Sequence, residues 1–216
     1  MFLEILRLIG IFLGYPVQLI FFKKRVFYED GVKPELRRGG KLIIMNHVNM
    51  WDYVLSCFLV FPRKLNVIAS EHAFKNKAIT AGVKIFGAIQ ANRITKNMKF
   101  VDEGAAVIKS GGLLEIFPEG RNTPDGKMHE FKPSYLVIAH RAGCKIVPMI
   151  TDGNYGLFKR TNVIIGKELD VSEFFTEGER TPSREELARA DAYVYSKMVE
   201  LCDTLEELKT KRKRVK

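Results

Sequence analysis

Lys41-Leu-Ile-Ile-Met-Asn-His-Val-Asn-Met-Trp-Asp52 is the stretch that decides the fold. Its first five residues are an aliphatic run of strand length, set off by the turn residues Gly39-Gly40. The helical pattern of Trp51–Phe61 begins soon after it. His47 and Asp52 lie at this junction, five residues apart. On a continuous helix five residues turn a side chain through about 140°, so the pair would not share a face. The imidazole reaches the carboxylate only if His47 stands on the loop at the strand end. Asp52 then falls in the first helical turn, where the helix dipole favours a negative charge. An imidazole held in this way has a fixed tautomer and greater basicity, as a general base needs.

The same alternation recurs along the chain. Leu65–Ala69, Leu113–Phe117, Lys145–Ile150 and Asn162–Ile165 read as further buried strands. Ala73–Val83, Asn97–Lys109 and Ser134–Ala142 read as helices, the last ending at Gly143 as its C-cap. Ser183 and Glu186 form a capping-box pattern. Leu187, Ala190, Val194, Met198, Leu201, Leu205 and Leu208 follow as one apolar stripe at spacings of three and four. Strands alternating with helices predict a single α/β domain with a mixed, mostly parallel sheet flanked by helices. We expect it over residues 26–208, between an apolar N-terminal anchor at 1–25 and a basic tail at 209–216.

A second polar cluster, Phe117-Pro118-Glu119-Gly120-Arg121-Asn122-Thr123, also follows a strand. Gly120 lets the backbone approach a ligand closely, and Arg121 offers a forked donor suited to phosphate. By itself H-x4-D recurs by chance in many chains. With F-P-E-G about 65 residues further on, it resembles the glycerolipid acyltransferase family, best known for its 1-acyl-glycerol-3-phosphate acyltransferases. Gly87-Ala-Ile-Gln-Ala-Asn-Arg93 is similar to the family's G-x-(I/F)-x-x-x-R block, and Val147-Pro148 to its last block. All four stand in the family's order over residues 41–150. The chain departs from the pattern in places. Asn49 replaces the usual Ser or Thr, and Arg121 comes one position early, with Asn122 where the family's Arg stands. Phe131-Lys132 resembles a following F-K pair but continues as Pro133-Ser134.

The resemblance implies transfer of an acyl group from acyl-CoA or acyl-carrier protein to a lysophospholipid hydroxyl, with 1-acyl-glycerol 3-phosphate the foremost acceptor. His47 is then the catalytic base and Asp52 its partner. Arg93, Arg121 and Lys132 clamp the phosphate, Glu119 and Gly120 shape the acceptor site, and Asn46 joins the substrate-binding residues. Another lysophospholipid, a lyso-aminolipid or glycerol 3-phosphate stays open as the acceptor. No G-x-S-x-G elbow is present to form a covalent intermediate. The reaction calls for no cofactor and no metal, and His47, His72, His129 and His140 lack close ligand spacing.

Composition limits the remaining choices. The 216 residues carry a net charge of +10, with 46% hydrophobic and 28% charged residues. That excludes a disordered or collagen-like chain. Cys57, Cys144 and Cys202 are odd in number and far apart, so we expect free thiols in a reducing compartment. Residues 1–22, MFLEILRLIGIFLGYPVQLIFF, are apolar, but the longest charge-free run, Leu8 to Phe22, contains Pro16 and is short for a span. A secretory leader fits poorly, because Lys23-Lys24-Arg25 follows the apolar run. We expect two short helices hinged near Gly14-Tyr15-Pro16, dipping into the cytoplasmic leaflet with the three cations among anionic headgroups. The tail Lys209–Lys216 carries six of the ten net charges. A basic nucleic-acid-binding module is the alternative from another class. The chain lacks its motifs and interleaved aromatics, so nucleic acid is not an expected partner.

Overall fold

The structure, a computed structural model, describes residues 2–74, 77–91, 98–123 and 125–214. Strands β1 (Arg25–Tyr28), β2 (Lys41–Met45), β3 (Leu65–Ser70), β4 (Ala88–Ala91), β5 (Leu113–Ile116), β6 (Ile146–Thr151) and β7 (Asn162–Ile165) form one sheet. Their order is β1-β7-β6-β2-β5-β3-β4. Every pairing is parallel except β6 with β7. The helices are α1 (Phe2–Phe21), α2 (Asp52–Leu59), α3 (Lys77–Ile85), α4 (Lys99–Lys109), α5 (Ser134–Ala142) and α6 (Arg184–Arg214).

The central strands are apolar because both faces of the sheet are covered. Side chains of β2 alternate between them. Leu42 and Ile44 join Val101 of α4, Leu136 of α5 and Val194 and Leu201 of α6. Ile43 and Met45 join Leu55 of α2, with Phe22 at the end of α1. The result is the expected α/β domain with a mostly parallel sheet between helices.

Most expected elements are present, with boundaries shifted by a few residues. Helix α2 ends at Leu59 and not at Phe61, because Phe61 precedes Pro62 and a pre-proline residue disfavours helical geometry. Helix α3 starts at Lys77, after a short 3₁₀ turn at Glu71–Phe74. Strand β6 runs from Ile146 to Thr151. Gly143 caps α5 with φ 62, as expected. The capping box of α6 is formed: Ser183 N–H donates to Glu186 Oε2 (2.7 Å), and Glu186 N–H donates to Ser183 Oγ (3.2 Å). The α6 helix continues to Arg214, through most of the basic tail. Strands β1 and β4 add to the expected set, and Arg25 opens β1.

The N-terminal expectation of two hinged helices is wrong. Helix α1 is continuous through Pro16. Arg7, Ile11 and Gln18, on both sides of the proline, are buried along one line. Gly14 lies on the same line, where an added Cβ would meet Phe58 of α2 at 3.4 Å. Packing over this line holds the two halves together despite the hydrogen bond that proline removes.

Candidate active site

Strands β6, β2 and β5 are neighbours and parallel, so their carboxyl ends lie side by side. Chain leaving those ends builds the site, where open α/β sheets place their ligands. His47 stands on the loop after β2, and Asp52 opens α2. His47 Nδ1 and Asp52 Oδ2 are 3.0 Å apart. Asp52 is fully buried, and the His47 side chain is one-fifth exposed. The same Oδ2 accepts Asn49 N–H at 2.8 Å. Oδ1 accepts the hydroxyl of Tyr155. Three donors thus converge on the buried carboxylate. With Nδ1–H given to Asp52, the lone pair of the neutral ring is on Nε2. The ring stacks on Phe117, centroids 4.1 Å apart.

The F-P-E-G loop is stitched to the His47 loop. His47 N–H donates to Glu119 Oε1 (3.2 Å), and His129 N–H donates to Glu119 Oε2 (3.0 Å). Thr123 N–H donates to His47 carbonyl oxygen at 2.7 Å, and Thr123 Oγ1–H donates to the same oxygen at 3.1 Å. Gly120 has φ 65, a left-handed conformation. A Cβ there would lie 3.1–3.2 Å from Cδ, Cε and Nζ of Lys132. The exposed Arg121 places Nη2 3.2 Å from His129 Nδ1, and His129 Nε2 lies 3.0 Å from Asp125 Oδ2. His129 therefore donates to Asp125 and accepts from Arg121. Hydrogen bonds from Lys127 N–H and from His129 hold the Asp125 carboxyl below its usual range.

The structure brings His47, Asp52, Glu119, Gly120, Arg121 and Lys132 into two linked loops. The side chains of Asn46 and Glu119 are engaged by backbone groups. Asn46 Nδ2 donates to the Thr151 carbonyl, and Asn46 Oδ1 accepts Thr151 N–H, both at 2.9 Å. Its amide braces the ends of β2 and β6, because backbone groups there need partners. Glu119 is only 3% exposed and gives both oxygens to backbone N–H groups, so it braces the two loops. Arg93 lies outside the described residues. Tyr155 and Thr123 carried no sequence signal for these contacts. Among the described residues no group of three His, Cys, Asp or Glu side chains could hold a metal ion. The three cysteines are free. Burial pushes the Cys57 thiol up to about 12 and Cys144 up to about 11, far from nucleophilic thiolates.

Beneath the pair lies a second carboxyl group. Glu115 on β5 is fully buried, and Ser56 of α2 donates to its Oε1 at 2.6 Å. Burial pushes its pKa well above the ordinary value, and the Asp52 charge adds in the same direction. Burial therefore favours the neutral form of Glu115 beside the Asp52 carboxyl group.

A histidine backed by a buried carboxylate thus stands at the carboxyl ends of parallel strands, beside a cationic loop. The chain belongs to the Acyltransferase family, whose model matches residues 28–152. It is 25% identical over 134 residues to a 1-acyl-sn-glycerol-3-phosphate acyltransferase of Cocos nucifera. That match covers 60% of this chain and 42% of the relative, so the chain spans about two-fifths of that protein's length. The fold is similar to the crystal structure of the 1-acyl-sn-glycerophosphate acyltransferase PlsC from Thermotoga maritima. The TM-score is 0.58 at 22% identity, over 87% of this chain and 73% of that one.

Proposed function

We propose that this protein transfers an acyl group from a thioester, acyl-CoA or acyl-carrier protein, to the free hydroxyl of 1-acyl-glycerol 3-phosphate. The observation that carries the reading is the 3.0 Å contact of His47 Nδ1 with the fully buried Asp52. His47 Nε2 takes the hydroxyl proton as the oxygen attacks the thioester carbonyl carbon. The tetrahedral intermediate then collapses, the carbon–sulfur bond breaks, and the imidazolium returns the proton to the departing thiolate. Asp52 orients the ring and stabilises the imidazolium that forms. General-base help of this kind supplies about 10²–10⁴-fold, with positioning supplying much of the rest. Arg121 and Lys132, beside Gly120, hold the acceptor phosphate, and Arg93 joins them.

The acceptor reaches this site from a membrane surface. Helix α1 has reversed polarity for a helix in water: Arg7 and Gln18 face the protein, while Ile9, Phe12, Leu13, Val17 and Ile20 are exposed. Such a face suits lipid. Among the described residues no helix is long and apolar enough to cross a membrane. The end of α1 reaches the site, since Phe21 and Trp51 have ring centroids 5.2 Å apart and Trp51 directly precedes Asp52.

An acceptor panel tests the reading. Release of free thiol from an acyl thioester is followed with 1-acyl-glycerol 3-phosphate, other lysophospholipids, lyso-aminolipids and glycerol 3-phosphate. Turnover highest with the first is expected, and Arg121→Ala should raise KM for it about tenfold. Preference for an acceptor without phosphate, or an unchanged KM, contradicts the phosphate clamp.

A further inference from the structure

We propose that the turn at Leu157-Phe158 is a second lipid contact, seating both side chains in an anionic leaflet beside the end of α1. The inference rests on the membrane-attached reading of α1. Phe158 is 93% exposed and Leu157 62% exposed. Isolated surface apolar residues are ordinary, but this pair is not isolated. Gly156 N–H donates to the Phe21 carbonyl, and Thr161 N–H donates to the Phe22 carbonyl, both at 3.0 Å. The turn is therefore fastened at both ends to the last residues of the apolar helix. Phe22 in turn packs edge-on against Tyr155, centroids 5.4 Å apart.

Phe158 has φ 65, an unusual conformation for a bulky aromatic residue, and it presents the ring to solvent. Lys23 Nζ lies 5.3 Å from the ring centroid. Lys159 and Arg160, next along the turn, are exposed. Residues 21–28 and 153–162 contain no carboxylate, whereas they carry Lys23, Lys24, Arg25, Lys159 and Arg160. The flanking acids are engaged: Asp152 by Asn162 Nδ2 (2.6 Å) and Lys209 (3.5 Å), and Glu29 and Asp30 by Lys167. Apolar side chains with Lys23 over the Phe158 ring and Lys159 and Arg160 next along the turn, continuous with an outward apolar helix, complement the acyl boundary and phosphate headgroups of an anionic bilayer. The turn starts one residue after Tyr155, whose hydroxyl holds Asp52. Its contact with lipid would orient the catalytic loop toward the leaflet that supplies the acceptor.

The test is co-sedimentation of the full chain with phosphatidylcholine vesicles, with and without phosphatidylglycerol and without acyl donor. Phe158→Asn combined with Leu157→Gln should weaken partition onto anionic vesicles about tenfold. The melting temperature should hold, because asparagine accepts the left-handed backbone. Lys159→Gln combined with Arg160→Gln should remove most of the dependence on phosphatidylglycerol and leave binding to neutral vesicles intact. Partition of the apolar double variant equal to wild type overturns the proposal while leaving α1 as the anchor. Failure of the wild type to bind any vesicle overturns the α1 reading with it. Loss of a wild-type dimer in the double variant, with vesicle binding unchanged, would assign the turn to a second copy of the chain and overturn the proposal. None of these outcomes depends on acyl transfer.

Discussion

Asp52 accepts hydrogen bonds from His47, Asn49 and Tyr155, and each reached the site by a different route. The first two are local, and the His47–Asp52 pair was legible from spacing alone. Asn49, a departure from the usual Ser or Thr, does its work through backbone N–H, which explains why the substitution leaves the pair intact. Tyr155 stands 103 residues from Asp52 and meets it only because the chain leaving β6 folds back over α2, so no local pattern announces it. The backbone contacts of Asn46 and Glu119 are not legible locally, because a polar side chain in a motif does not announce which distant backbone group it satisfies. Tyr155→Phe should lower kcat about tenfold with KM unchanged, since it removes one charge-assisted donor from the carboxylate behind the base. Steady-state kinetics checks this; a rise in KM at constant kcat would place Tyr155 on substrate instead.

At the scale of elements, the strands that were legible are the central ones, whose both-face burial yields continuous aliphatic runs. The missed strands β1 and β4 are the two edges of the sheet. Each is four residues long and only half-buried over most of its length, with cations or Gln90 among its residues, so its pattern is weak. Proline misled the reading of α1, because tertiary packing overrode its local cost. The contact between β5 and α2 carries a pH signature. Glu115 is held neutral in the folded state by burial, while in the unfolded chain it ionises near its ordinary value of about 4.3. Its contribution is therefore fully present below that value and is lost as pH rises toward the folded one. Glu115→Gln, which keeps a neutral side chain of the same shape, should raise the melting temperature at pH 8. The two proteins should converge near pH 4. Equal melting curves at both values would mean that Glu115 is ionised in the native protein.

At the scale of the whole molecule, the charge of +10 resolves into separate parts. Lys23 and its neighbours border the apolar helix, Arg121 and Lys132 border Gly120, and Lys209 to Arg214 extend α6. The attachment reading makes a prediction on the full chain. Phe12→Glu, at an outward position 73% exposed, should leave the melting temperature unchanged and reduce binding to lipid vesicles about tenfold or more. Unchanged vesicle binding would argue that α1 is not the lipid-facing surface. The sheet, its two covered faces and the neighbouring ends of β6, β2 and β5 serve one arrangement: His47 on one loop, Asp52 on the next helix, and Arg121 with Lys132 by the adjoining loop. The measurement that tests this most directly is thiol release from an acyl thioester in the presence of 1-acyl-glycerol 3-phosphate, comparing the wild-type chain with His47→Ala. The wild type should turn over, and the variant, folded and still bound to vesicles, should lose about 10²–10⁴-fold in kcat. Near-normal turnover by His47→Ala would contradict the general-base account.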